Sequence, residues 1–142
     1  MCRSTIGMLA MAALAVSACG ATSQGATTPR PPAPVNLTVY IDNSRVSASP
    51  TSVGAGPVAF IITNQASQAE SLAVQRAGNA GGQPLANTGP INPLATAEVT
   101  VNFTSPGRYA LSTSGDGGGS IKAASIRIGR PRSNSDTQVL QP

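Results

Sequence analysis

The side chains that could do chemistry are few in this chain of 142 residues. It contains no histidine, so neither a Ser–His nor a Cys–His nucleophile pair can form. General acid–base catalysis would fall to carboxylates that are well separated along the sequence: Asp42, Glu70, Glu98, Asp116 and Asp136. The sequence therefore predicts that the protein is not an enzyme.

One serine–lysine spacing leaves a route to nucleophilic chemistry open. Ser120 lies two residues before Lys122, and in a strand this spacing puts both side chains on one face. A Ser–Lys hydrolase is therefore an alternative hypothesis. We favour a surface lysine beside a flexible glycine-rich turn at residues 115–119. This turn precedes a predicted strand, so it does not fit the phosphate-binding loops that open a helix.

The N-terminus reads as an export signal. Arg3 is followed by an apolar run at residues 6–16 and then by small residues, which is the layout of a secretory signal peptide. The run is shorter than the roughly 20 residues that a membrane-spanning helix needs. We therefore expect residues 1–18 to be a signal peptide that is removed.

The residues Val16-Ser17-Ala18-Cys19 resemble the lipobox of bacterial lipoproteins. The resemblance implies that Cys19 carries a diacylglyceryl group, whose two acyl chains, of the palmitate type, would anchor the chain stably at the extracytoplasmic face of the cell membrane. The alternative is an ordinary signal peptide that is cut beside a chance cysteine. Since Cys2 would leave with the leader and Cys19 would be lipidated, no disulfide is expected in the mature monomer.

The charge left after removal of the leader is moderately basic. Without Arg3, eight basic residues face five acidic ones, a net charge of +3. Arg127, Arg130 and Arg132 cluster near the end of the last predicted strand and could touch anionic lipid or a wall polymer, although a solvated strand end is the simpler interpretation. The chain has two Tyr and two Phe and no Trp, which together with export argues against nucleic-acid binding.

Alternating apolar and polar residues predict strands in the middle of the chain. The apolar positions fall in six runs, at residues 35–41, 58–62, 72–74, 97–103, 109–111 and 124–128. Residues 77–93, rich in Gly and Pro, are predicted to be a surface excursion. We therefore expect an all-β Greek-key sandwich of six to eight strands over residues 35–129. A disordered Pro/Thr-rich linker at residues 19–34 would precede it, and a disordered tail at residues 130–142 would follow it.

Two motifs inside this segment resemble cupredoxin-like domains, the blue-copper sandwich family. The pattern P-x-x-V-x-x-G-x-V-x-F-x-I-x-N, from Pro50 to Asn64, is similar to the second and third strands of that family. The P-G-x-Y at residues 106–109 is similar to the start of its penultimate strand, where Tyr109 would act as a corner residue. Other Greek-key sandwiches, such as immunoglobulin-like domains, remain the alternative.

The resemblance also implies where copper ligands would lie. The family uses two His, a Cys and usually a Met. By position, the first His would fall at Glu70, the Cys near Thr113, the second His in residues 114–120 and the Met near Lys122. None of these ligand types is there, and Met1, Met8 and Met11 all belong to the leader. A type 1 copper centre is therefore excluded, and Glu70 is expected to be a solvated rim residue. A copper-handling or electron-transfer cupredoxin is a disfavoured alternative.

The hypothesis that follows is a metal-free and cofactor-free cupredoxin-like module. We expect a monomer, anchored to the membrane through Cys19, that binds a protein or another envelope component. Candidate contact segments are residues 77–93 and residues 112–120.

Overall fold

The computed structural model describes residues 32–79, 81–115 and 121–133 of the chain, and these form an all-β domain. The strands are β1 (Val35–Ile41), β2 (Val46–Ser49), β3 (Ser52–Asn64), β4 (Glu70–Arg76), β5 (Ala86–Ile91), β6 (Thr96–Phe103), β7 (Gly107–Gly115) and β8 (Ala124–Pro131). None of the described residues is helical, and accordingly no helix among them is long and apolar enough to cross a membrane. The prediction of an all-β sandwich of six to eight strands is confirmed.

The long strand β3 belongs to both sheets of the sandwich. Its second half, from Gly56 to Thr63, pairs with antiparallel β6, and from Val58 onward it also pairs with parallel β1, which in turn pairs with β2. Its first half, from Ser52 to Ala55, pairs with parallel β8, and that second sheet continues through β7, β4 and β5. The two sheets are thus joined through one continuous strand.

Gly56 lies where β3 changes sheets. Its φ of 127° is a backbone conformation that side chains rarely adopt, and the pairing of β3 with β8 shifts register just before it, between Gly54 and Ala55. A strand that bends in this way forms a corner between two packed sheets. Glycine at this position therefore lets one strand contribute to both sheets.

The core lies between the sheets and is filled by alternate residues of most strands. Phe60 is fully buried and contacts Phe103 edge-to-face at a centroid distance of 6.1 Å, and Phe103 contacts Tyr109 in the same manner at 4.7 Å. The Tyr109 hydroxyl donates a hydrogen bond to the Ser105 carbonyl oxygen at 2.9 Å. This bond confirms the corner role predicted for Tyr109.

Two strands are present that the alternation did not predict. β2 is a short edge strand, and β5 lies within residues 77–93, so the interpretation of that whole segment as a surface excursion was wrong. β3 also begins at Ser52, well before the predicted start at residue 58. β8 runs to Pro131, two residues past the predicted end of the domain. The predicted signal peptide, Cys19 and most of the linker and tail lie outside the described residues.

The strand directions define two ends of the sandwich. The loop end holds the connections at residues 42–45, 65–69, 92–95 and 121–123. The base end holds residues 32–34, 50–51, 104–106 and 132–133, together with the β4–β5 connection. The described chain begins at the base end, where the Arg132 Nη1 donates to the Ala33 carbonyl oxygen at 2.8 Å. The N-terminal segment therefore joins the domain at the base end.

Candidate functional site

Asn64 organises the loop end from inside the protein. It is the last residue of β3 and is fully buried. Its Nδ2 donates to the carbonyl oxygens of Gln68 and Ile91, both at 2.8 Å, and its Oδ1 accepts from the Ala66 amide at 2.9 Å. One side chain therefore ties the end of β3 to the β3–β4 connection and to the end of β5. The sequence pattern marked Asn64 only as the end of a strand.

Glu70 is buried at this end, with 5% of its surface exposed, so the prediction of a solvated rim residue was wrong. It opens β4 and lies directly opposite Gly115 of β7. A Cβ atom at position 115 would lie 2.5 Å from the Glu70 Oε2 and 2.6 Å from the Ala69 carbonyl oxygen. The missing side chain at Gly115 thus makes the room that the carboxyl group occupies. This pairing links positions that are distant in sequence.

The other positions singled out by the resemblance are only partly brought together. Thr113 lies opposite Leu72, which is two residues along β4 from Glu70. The side chains of Glu70 and Thr113 are on the inner face of the same sheet. Lys122 is exposed and joins the β1–β2 turn instead, where its amide donates to the Ser44 carbonyl oxygen at 2.9 Å. Ser120 and the rest of residues 116–120 lie outside the described residues, so the Ser120–Lys122 pair stays a prediction.

The β1–β2 turn at the loop end is held by Asp42. Its Oδ1 accepts hydrogen bonds from the Ser44 hydroxyl at 2.6 Å and from the amides of Ser44 and Arg45 at 2.7 and 2.9 Å. These bonds, those from Ser44 first, lower the pKa of Asp42 below its usual value. Because a lowered folded-state pKa stabilises the protein above the normal pKa, this contribution is lost as the pH falls through the folded-state value. The Asp42 carboxylate thus stabilises the β1–β2 turn.

Leu94 is the unusual residue of the loop end. The amide of Ala95 donates to the Asn92 carbonyl oxygen at 3.0 Å, closing a four-residue turn with Pro93 in its second position and Leu94, at a φ of 63°, in its third. Turns with this pattern favour glycine or asparagine at the third position. Leu94 is nevertheless 85% exposed. The turn is therefore strained at a residue whose side chain adds nothing to the core.

Replacing Leu94 with glycine is expected to stabilise the protein slightly. The left-handed conformation costs a leucine about 1–2 kcal/mol, while glycine loses about 0.5–1 kcal/mol more conformational entropy on folding. We expect Leu94→Gly to raise the free energy of unfolding by about 0.5–1 kcal/mol in urea titrations. A destabilised Leu94→Gly variant would show that the leucine has a structural role.

Comparison with known proteins identifies the architecture. Auracyanin from the photosynthetic bacterium Roseiflexus castenholzii, in its dithionite-reduced form, superposes with a TM-score of 0.50 over 67% of this chain and 95% of its own, at 13% identity. The fold is cupredoxin-like. Auracyanin A, a blue copper protein from Chloroflexus aurantiacus, covers 68% of this chain and 99% of its own at 18% identity and a TM-score of 0.47. No protein-family model and no curated protein matches the chain.

The donor atoms at the cupredoxin metal end do not fit type 1 copper. That centre needs two imidazole nitrogens and a thiolate, whereas this chain has no His and carries its two Cys at positions 2 and 19. The structure instead places the carboxyl group of Glu70 and the hydroxyl group of Thr113 on neighbouring strands. Among the described residues no three His, Cys, Asp or Glu side chains converge. The residues of this chain therefore do not fit a type 1 copper centre on the cupredoxin-like fold.

Proposed function

We propose that the protein is a membrane-anchored, extracytoplasmic binding module whose metal-free cupredoxin-like domain docks a protein or another envelope component at its loop end. The observation that carries this proposal is the Leu94 turn. An exposed leucine in a left-handed conformation lowers stability and gains no burial within the chain. Strain of this kind concentrates at functional sites.

The position of Leu94 suits contact with a partner. Asn92 and Pro93 are exposed beside it, and its amide donates to the carbonyl oxygen of the buried Asn64 at 2.7 Å. The leucine is thus presented from a backbone that is fixed to the core. Such preorganisation favours binding because little freedom is lost on docking.

The proposed anchor determines that the loop end faces away from the membrane. Cys19 precedes the described domain, and the chain joins the sandwich at the base end. Lipidation of Cys19 would therefore hold the base toward the membrane and leave the loop end facing outward. This orientation makes the loop end the accessible surface for an envelope partner.

The docking proposal is tested by site-specific photocrosslinking in cells. A photoreactive amino acid replaces the exposed Asn92, in the parent chain and in Leu94→Asp and Leu85→Asp variants. Leu85 is the matched control, since it is 55% exposed but precedes β5 at the base end. We expect an adduct of defined mass in the parent chain that falls at least about tenfold with Leu94→Asp, as loss of about 1.4 kcal/mol predicts, and persists with Leu85→Asp. An adduct that is equally strong in all three chains would contradict docking through Leu94.

A further inference from the structure

The described carboxylates and most of the described basic residues lie toward opposite ends of the domain, with Arg45 and Lys122 at the loop end as the exceptions. Five arginines lie at the base end, in the strand halves next to it or, for Arg127, at the middle of β8: Arg76, Arg108, Arg127, Arg130 and Arg132. The three described carboxylates lie at the loop end or toward it: Asp42, Glu70 and Glu98. Within the described part of the chain, the one ion pair is Asp42–Arg45, at the loop end. The base end therefore carries positive charge that no described carboxylate neutralises.

Arg108 and Arg127 lie directly opposite each other in the β7–β8 ladder. The Arg127 amide donates to the Thr51 carbonyl oxygen at 2.8 Å, and the Arg108 carbonyl oxygen accepts from the Ala77 amide at 3.0 Å. The two arginines thus point their backbone polar groups away from each other. They therefore form a non-hydrogen-bonded pair, in which cross-strand side chains lie closest. Two like charges at this spacing destabilise a sheet.

Both side chains of this pair are exposed on the outer face of the sheet. Shallow hollows lie on either side of them, one lined also by Gly107, Gly129 and Arg130, the other by Thr51 and Ser125. Neither hollow is lined by an acidic residue. Several guanidinium groups thus border one open surface, and planar guanidinium groups are well suited to phosphate oxygens.

We propose that Arg108, Arg127 and Arg130, here called the base arginine face, bind the phosphate groups of anionic lipids at the membrane surface. Binding of an anion between Arg108 and Arg127 relieves the repulsion that the ladder imposes. Juxtamembrane basic residues gain about 1 kcal/mol each from an anionic leaflet, which is a fivefold change in binding. The face would form a second contact beside the lipid anchor.

The choice of a lipid surface over a soluble polyanion rests on the proposed anchoring through Cys19. Twelve residues separate Cys19 from Pro32, and an extended chain of that length spans about 40 Å at most. The base end would therefore stay within reach of the lipid headgroups. Such a short tether raises the effective concentration of the face at the membrane.

The proposal is tested with vesicles and the chain from residue 20 to 142, which lacks the leader and Cys19. Its core residues all lie between Leu37 and Ile128, so this chain keeps every packing contact of the described domain. The fraction of protein that sediments with phosphatidylglycerol–phosphatidylcholine vesicles is compared with the fraction that sediments with vesicles of phosphatidylcholine alone. We expect binding to the anionic vesicles only, and its loss at high salt because ions screen the surface potential.

The decisive variants differ in where charge is removed. Arg108→Gln/Arg127→Gln is expected to weaken vesicle binding about 25-fold, since each arginine contributes about fivefold. Arg45→Gln/Lys122→Gln removes the same charge from exposed residues at the loop end and is expected to change binding less than about twofold. Melting temperatures confirm that the variants fold, and Arg108→Gln/Arg127→Gln is expected to melt no lower than the parent chain because it removes a repulsive pair.

Three outcomes would overturn the proposal. Equal weakening by both double variants would show that net charge alone governs binding. A lack of binding to anionic vesicles would refute the lipid contact of the base arginine face. It would not contradict lipidation of Cys19, because the tested chain begins after that residue. Binding of soluble polyglycerol phosphate without binding of vesicles would assign the face to a wall polymer instead.

Discussion

Replacing Asn64 with alanine is expected to lower the free energy of unfolding by about 3–5 kcal/mol. The change removes the partner of two carbonyl oxygens and one amide, those of Gln68, Ile91 and Ala66. A buried backbone group that is left unpaired costs about 1–3 kcal/mol. Because the free energy of unfolding of a protein domain is only about 5–15 kcal/mol, this loss would be a large fraction of the stability of the domain.

The measurement is urea-induced unfolding of Asn64→Ala beside Asn36→Ala. Asn36 is an exposed asparagine of β1, so its replacement is expected to change stability by less than about 0.5 kcal/mol. Hydrogen exchange adds a local readout, since the Ala66 amide loses its acceptor and should exchange faster in Asn64→Ala. Similar small effects of the two variants would refute the organising role of Asn64.

Replacing Cys19 with alanine is expected to move nearly all of the protein from the membrane to the soluble fraction of a bacterial host. Without the thiol no lipid can be attached, and each buried methylene of an acyl chain contributes about 0.8 kcal/mol to anchoring. The base arginine face alone would give a weaker attachment that a high-salt wash removes. Fractionation with and without that wash measures both contributions.

Cys2→Ala is the matched control for this experiment. It removes the other cysteine of the chain, which lies in the predicted leader and is not expected to carry lipid. We expect Cys2→Ala to remain membrane-bound through the salt wash. Full retention of Cys19→Ala on salt-washed membranes would contradict lipidation and indicate an uncleaved leader.

The strands that the sequence predicted are those with regular alternation on a buried face. β1, β6 and β8 alternate between buried and exposed positions along most of their length. β5 does not alternate in this way, because its residues Ala86–Ile91 include Gly89 and Pro90. It is an edge strand whose pairing with β4 shifts in register. The Thr88 hydroxyl oxygen, instead of a backbone carbonyl oxygen, accepts a hydrogen bond from the Leu72 amide at 3.0 Å. Such irregular edge strands leave little periodic signal.

The sequence predicted which copper ligands the candidate site lacks, but not the burial of Glu70 or the backbone strain at Leu94. The absence of histidine excludes type 1 copper from the composition alone. The burial of Glu70 depends on Gly115, whose position opposite it is fixed by the pairing of β4 with β7. The strain at Leu94 depends on a turn that lacks the expected glycine. The pairing is not visible in a local window of sequence, and the residue type at position 94 does not favour the conformation that it adopts.

The course of β1 has a mechanical consequence for an anchored chain that holds a partner. In such a chain, tension between membrane and partner would enter at Val35, at the base end, and would act along the strand toward the loop end. β1 is paired on both sides, with β2 over four residues and with β3 over seven. Its hydrogen bonds are therefore loaded in shear and must break together, whereas a strand peeled from an edge loses them one by one. This pairing of β1 would let an anchored domain carry a tensile load without unravelling.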